Sequence, residues 1–87
     1  MYKINYHKRT VKQKQYLRAA SLLKKAEALV ELIELNPYKT PPKFKELEYD
    51  LKGFFSRRIS LKHRLVYTVD EDKKEVRVHS MWSHYEY

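Results

Sequence analysis

Cysteine is absent from this chain of 87 residues, glycine occurs once and proline three times. Without a thiol, neither a disulfide framework nor a thiolate metal site can form; with no secretory pattern either, a reducing, cytoplasmic setting is expected. So little glycine and proline leaves no linker, and repeats and low-complexity tracts are missing too. Apolar runs extend only a few residues, so nothing is expected to span a membrane. Acidic residues are also few: 11 Asp plus Glu stand against 19 Lys plus Arg, a formal charge of +8. On so small a body this means a positive potential over much of the surface. Nucleic acid, an acidic membrane face or an acidic protein is the expected partner.

What the chain does have is aromatic bulk: eight Tyr, three Phe and one Trp. These can fill a core despite the charge, so the chain is expected to fold. At this length it forms one domain, residues 1–87, burying only roughly 60 to 65% of the surface its unfolded chain would expose.

Tyr2-Lys3-Ile4-Asn5-Tyr6 alternates with a period of two and predicts a first strand. From Thr10 to Leu35 the apolar residues Ala19, Leu22, Leu23, Ala26, Leu29, Val30 and Ile33 recur at steps of three and four, the helical period. About 25 residues is long for one helix in a small domain, so a hairpin is expected, with a break near Ala19-Ala20 and Ser21 capping the second helix. Asn36-Pro37 ends the pattern, because proline lacks an amide donor and pushes its predecessor out of the helical region. Pro41 to Leu47 reads as an ordered connection, and Gly53 as a turn. Phe54 to Ile59, Arg64 to Val69 and Val76 to Trp82 carry strand composition, with turns at Ser60-Leu61-Lys62 and Asp70 to Lys74. The predicted fold is α+β: an N-terminal strand, a helical hairpin, then an antiparallel meander covered by the helices on one face.

Strand alternation then distributes the charges. Arg58 opposes Arg57 and Ile59, while Arg64, Val66 and Thr68 share a face opposite Leu65, Tyr67 and Val69. Each strand offers an arginine to the open side. A guanidinium is permanently charged, and its planar fork of donors matches phosphate oxygens. Cutting RNA needs a base for the 2′-hydroxyl proton, cations for the charge growing on phosphorus and an acid for the departing 5′-oxygen. Because RNA carries its own nucleophile, no metal or other cofactor is expected. His84 has the chemistry of such an acid, and Tyr85 could orient a phosphate or stack a base. By contrast, His63 reads as structural within a turn, His79 as solvent-facing, and Trp82 as core.

Leu51-Lys52-Gly53-Phe54-Phe55-Ser56-Arg57-Arg58-Ile59, His63-Arg64-Leu65-Val66-Tyr67 and the terminal His84-Tyr85 together resemble the YoeB/Txe toxins, within the RelE superfamily of bacterial toxin-antitoxin systems. The resemblance covers most of the chain; the helical part agrees in pattern only. It implies a small RelE-like domain and a ribosome-dependent endoribonuclease that cuts messenger RNA in the decoding site of the 70S ribosome, against 16S rRNA, through the RNA's own 2′-hydroxyl. It also implies a YefM/Axe-like antitoxin that holds the toxin inactive, and a possible homodimer, with no membrane role. By position, Arg64 matches the arginine on the scissile phosphate, His84 the general acid and Tyr85 the tyrosine that holds substrate. Arg57 and Arg58 match the paired arginines, Arg58 being preferred at the site.

One position departs from the family pattern. Where the family carries its glutamate base, this chain has Lys45. In a loop, Glu46 could deliver its carboxylate to the same place; in a strand it would point to the opposite face. Glu46 is therefore the first candidate base, Glu48 the second, and a lysine such as Lys45, as in the RelE branch, the third. The alternative reading is a non-catalytic member that binds RNA, the ribosome or an antitoxin without cutting.

Overall fold

A computed structural model describes residues 1–83. In chain order they form β1 (Lys3–Tyr6), α1 (Arg9–Ala19), α2 (Leu23–Leu35), β2 (Phe44–Glu46), β3 (Phe54–Arg58), β4 (Arg64–Asp70) and β5 (Glu75–Ser83), with a 3₁₀ turn at Tyr49–Leu51. One sheet runs in the order β1-β5-β4-β3-β2. Its last four strands pair antiparallel, and β1 lies parallel to β5. The α+β arrangement and the meander are as expected. The sheet is mixed, however, because Ile4 and Tyr6 register against Val76 and Val78 in the parallel sense.

The second difference is β2, which replaces part of the expected connection. Phe-Lys-Glu has little strand propensity of its own. Its backbone becomes a strand by pairing with β3, and the Leu47 amide extends the ladder to the Phe54 carbonyl at 2.8 Å. A sheet edge can impose strand geometry that three residues would not adopt alone.

Between the helices, Ser21 does something other than cap α2. It sits at φ 60° and ends α1. The Leu22 amide bonds the Leu17 carbonyl at 2.8 Å and the Ser21 amide bonds the Arg18 carbonyl at 3.1 Å, the two bonds of a Schellman motif. Leu22 then precedes α2 without a side-chain cap. At its far end, α2 stops where Asn36 turns extended before Pro37.

Leu17, Ala26, Leu29 and Ile33 from the helices pack on Leu65, Tyr67, Val76 and Val78 of the sheet. Each such leucine, isoleucine or valine, once fully buried, contributes about 1.5–3 kcal/mol. Beyond Val78, where β1 has ended, α1 closes the free edge of β5: Gln13 Oε1 accepts from the Met81 amide at 2.8 Å and its amide donates to Ser80 Oγ at 3.2 Å. Trp82 packs partly into this core, as expected, and stacks on His63 with ring centres 3.7 Å apart.

Candidate active site

The side chains of Leu65, Tyr67, Val76 and Val78 point to the helices, so the alternate residues of the same strands face away from them. On that uncovered face, register places Arg58 directly opposite Arg64, and Ser56 between Lys45 and Val66. Directly opposed residues stand about 4.5–5.5 Å apart at Cα. A surface depression of about 520 Å³ is lined here by Lys25, Lys43, Lys45, Ser56, Arg58 and Arg64, with Pro42 and Phe44. Among the described residues that line it are five cations and no carboxylate. Like charges opposed across strands destabilise the sheet, and an anion between them removes that cost.

Ser56 forms part of the floor. It is 3% exposed, and its Oγ finds no hydrogen-bond partner among the described residues. A buried hydroxyl left in that state costs about 1–3 kcal/mol.

Arg57 parts company with Arg58. Alternation turns it to the helix side, where it is 0% exposed. Its Nε donates to the Tyr67 hydroxyl at 3.1 Å, and its two terminal nitrogens donate to the carbonyls of Pro42 at 2.6 Å and Pro37 at 3.0 Å. The guanidinium also lies 4.9 Å over the Phe44 ring. Tyr67 in turn donates to the Pro37 carbonyl at 2.7 Å. Burial raises the Tyr67 pKa, opposed by the neighbouring Arg57. These bonds pin the segment between α2 and β2 to the sheet, and Arg57 is not among the described residues that line the depression.

The candidate base residues are separated in the same way. With β2 a strand, Lys45 faces the depression, and Glu46 registers against Phe55 on the opposite face. The Glu46 carboxylate accepts from the Gly53 amide at 3.1 Å and so closes the loop between β2 and β3. Glu48 lines a separate recess with Glu46, Leu47, Tyr49 and Lys52. Neither glutamate is among the described residues that line the Arg58–Arg64 depression. The reason is the period of two: a one-residue offset that a loop would absorb is a change of face in a strand.

His84 and Tyr85 lie outside the described residues; the last one described, Ser83, is the register partner of Arg64. His63 closes the turn through its main chain: its carbonyl accepts from Ile59 and Ser60, and its amide bonds Ser60 Oγ. His79 differs from its solvent-facing expectation. Its ring packs on Phe54 at 4.7 Å and its Nε2 meets Thr68 Oγ1 at 2.9 Å. Burial first, then the charges of Arg77, His7 and Arg9, hold its pKa below the ordinary histidine value. Residues 71–74 form the turn after β4, where Glu71 accepts from Tyr2, Tyr38 and Lys74.

Three lining residues escaped sequence reasoning: Lys25, Lys43 and Ser56. Ser56 had a usable signal, since it stands two residues before Arg58 in a strand. Lys25 had none, because only packing brings α2 to this end of the sheet. Among the described residues no group of three or more His, Asp or Glu side chains is placed to hold a metal ion, and no helix is long and apolar enough to cross a membrane.

Residues 6–85 match the family described as the YoeB-like toxin of bacterial type II toxin-antitoxin systems. The chain is 39% identical over 51 residues to toxin YoeB of Escherichia coli K12, a stretch covering 59% of this chain and 61% of that protein's length. Among solved structures, a YoeB/ParE toxin from Agrobacterium tumefaciens superposes with a TM-score of 0.84 at 25% identity, covering 95% of this chain and 99% of that one. The toxin of a YoeB-YefM complex from Staphylococcus aureus superposes with a TM-score of 0.78 at 30% identity, covering 98% and 99%. A YoeB dimer from the same organism gives 0.80 at 30%, covering 97% and 98%. With 80 of its residues matched and the whole fold shared, the chain belongs to the YoeB-like toxins of bacterial type II toxin-antitoxin systems.

Proposed function

We propose that this chain is an endoribonuclease toxin that cuts messenger RNA in the decoding site of the ribosome and thereby blocks translation. The observation that carries this reading is the opposed pair Arg58 and Arg64 with Lys45 on one uncovered sheet face. In the proposed reaction the 2′-oxygen attacks the adjacent phosphorus and the bond to the 5′-oxygen breaks. The products are a 2′,3′-cyclic phosphate and a 5′-hydroxyl. Arg64 and Arg58 stabilise the charge growing on the phosphate oxygens. Lys45 takes the 2′-hydroxyl proton in place of Glu46 or Glu48, and His84 gives one to the leaving oxygen. Tyr85 holds the substrate. No step calls on a bound cofactor.

Its partners are messenger RNA and the 70S ribosome, where the cationic surface meets 16S rRNA, and a YefM/Axe-like antitoxin that silences it. The complex and dimer formed by the Staphylococcus aureus relative support the antitoxin and a homodimer as partners.

A second reading has its own support: a depression lined by five cations and no carboxylate can bind phosphate without deprotonating anything. Cell-free translation with the purified protein separates the two, with message 5′ ends mapped by primer extension. Cleavage at fixed codon positions is the expected result; translation blocked with intact message establishes the non-catalytic reading instead.

A further inference from the structure

We infer that the Ser56 hydroxyl is a direct ligand of the RNA phosphate, donating its hydrogen to a non-bridging oxygen of the phosphodiester held by Arg58 and Arg64. This deepens the RNA-cleaving reading and rests on it. Ser56 is the cross-strand partner of Lys45 on one side and Val66 on the other, and stands two residues before Arg58 on the same strand. It therefore shares the face, and the depression, of Lys45, Arg58 and Arg64.

Burial makes the hydroxyl informative. Elsewhere the fold satisfies such groups: Thr10 Oγ1 donates to the His7 carbonyl at 2.7 Å, and Ser80 Oγ is met by Gln13 at 3.2 Å and Ser83 at 2.7 Å. Ser56 Oγ has no such partner among the described residues although only 3% of the residue is exposed. Alanine would fill the same space without that cost, so a serine here is explained by an acceptor that arrives from outside. Surrounded by lysine and arginine, that acceptor is an oxyanion. A neutral hydroxyl adds direction to the site without adding charge. It also gains strength as the phosphate oxygen becomes more negative in the transition state.

The test is single-turnover cleavage on programmed ribosomes, with messages carrying an ordinary scissile phosphate or either phosphorothioate diastereomer. Ser56→Ala is expected to slow cleavage of the ordinary message about tenfold, the effect of one lost neutral hydrogen bond. One diastereomer should slow the wild type, and Ser56→Ala should add nothing further on that message. The thermal midpoint should hold or rise. Unchanged cleavage by Ser56→Ala, or an equal loss on all three messages, overturns the inference.

If the wild type cuts nothing, the RNA-cleaving reading falls and binding of a fully 2′-deoxy single-stranded oligonucleotide judges Ser56 by itself. Ser56→Ala should then weaken binding several-fold at an unchanged salt slope, whereas Arg58→Ala lowers that slope by about 0.7. Equal affinity of wild type and Ser56→Ala, or a changed slope in Ser56→Ala, overturns the inference in this arm.

Discussion

Arg58 and Arg64 face each other across β3 and β4 as direct register partners, on the side of the sheet the helices leave uncovered. Two guanidinium groups so placed favour an anion between them. Arg58→Ala and Arg64→Ala are each expected to reduce ribosome-dependent cleavage by about 10² or more, as loss of a charge-stabilising group does. The thermal midpoint of Arg58→Ala should stay level or rise. A variant that cuts like the wild type removes that arginine from the proposed site.

Arg57 tests the opposite role. Its bonds to Tyr67, Pro37 and Pro42 hold the segment before β2 in place. Arg57→Ala should therefore lower stability by about 2–4 kcal/mol, because buried acceptors lose a charged donor. Urea unfolding followed by circular dichroism measures this. A loss below about 1 kcal/mol would show that the buried network is not what holds the loop.

The proposed base separates Lys45 from both glutamates. Lys45→Ala should lose about 10²-fold in cleavage, the usual contribution of a general base, while Glu46→Gln and Glu48→Gln stay within a few-fold of wild type. Lys45→Glu restores a carboxylate to the uncovered face and should recover part of the activity. Should Glu46→Gln be the inactive variant, the proton goes to the other face and the proposed chemistry is wrong.

Acid stability follows from groups whose folded pKa values are depressed, His79 and Glu71 among them and His7 beside them. The folded His79 lies below the ordinary histidine value through burial and neighbouring positive charge. Its contribution is present above about pH 6.5 and is lost as pH falls through the folded value. Glu71 is pulled to about 2, first by the Tyr38 hydroxyl and then by Lys74 and Tyr2. Its contribution is present above about pH 4.3 and is lost on the way down to its folded value. Thermal midpoints measured from pH 8 to pH 2 should fall in these two regions. His79→Gln is expected to flatten the upper one and Glu71→Gln the lower, and a midpoint indifferent to pH contradicts both.

Much of the architecture was legible locally. The three- and four-residue spacing of Leu22, Ala26, Leu29 and Ile33 located α2, and Asn36-Pro37 stopped it, because helical period and proline act over a few residues. The strands β3, β4 and β5 followed from β-branched and aromatic runs. Ser21 is ambiguous in sequence, since either helix end accepts a serine and only its φ of 60° shows which one it serves.

Unaided, the sequence determined the excess of positive charge, the helix and strand order and, through Gly53 to Ile59 and His63 to Tyr67, the family resemblance. Those depend on residue type and short-range period. Only the tertiary structure decided that β2 is a strand, that Lys45 and not Glu46 looks into the depression, that Arg57 is buried while Arg58 is not, and that Lys25 joins the cations. Alternation says which neighbours part; which of them meets solvent is decided by the helices packed against the sheet.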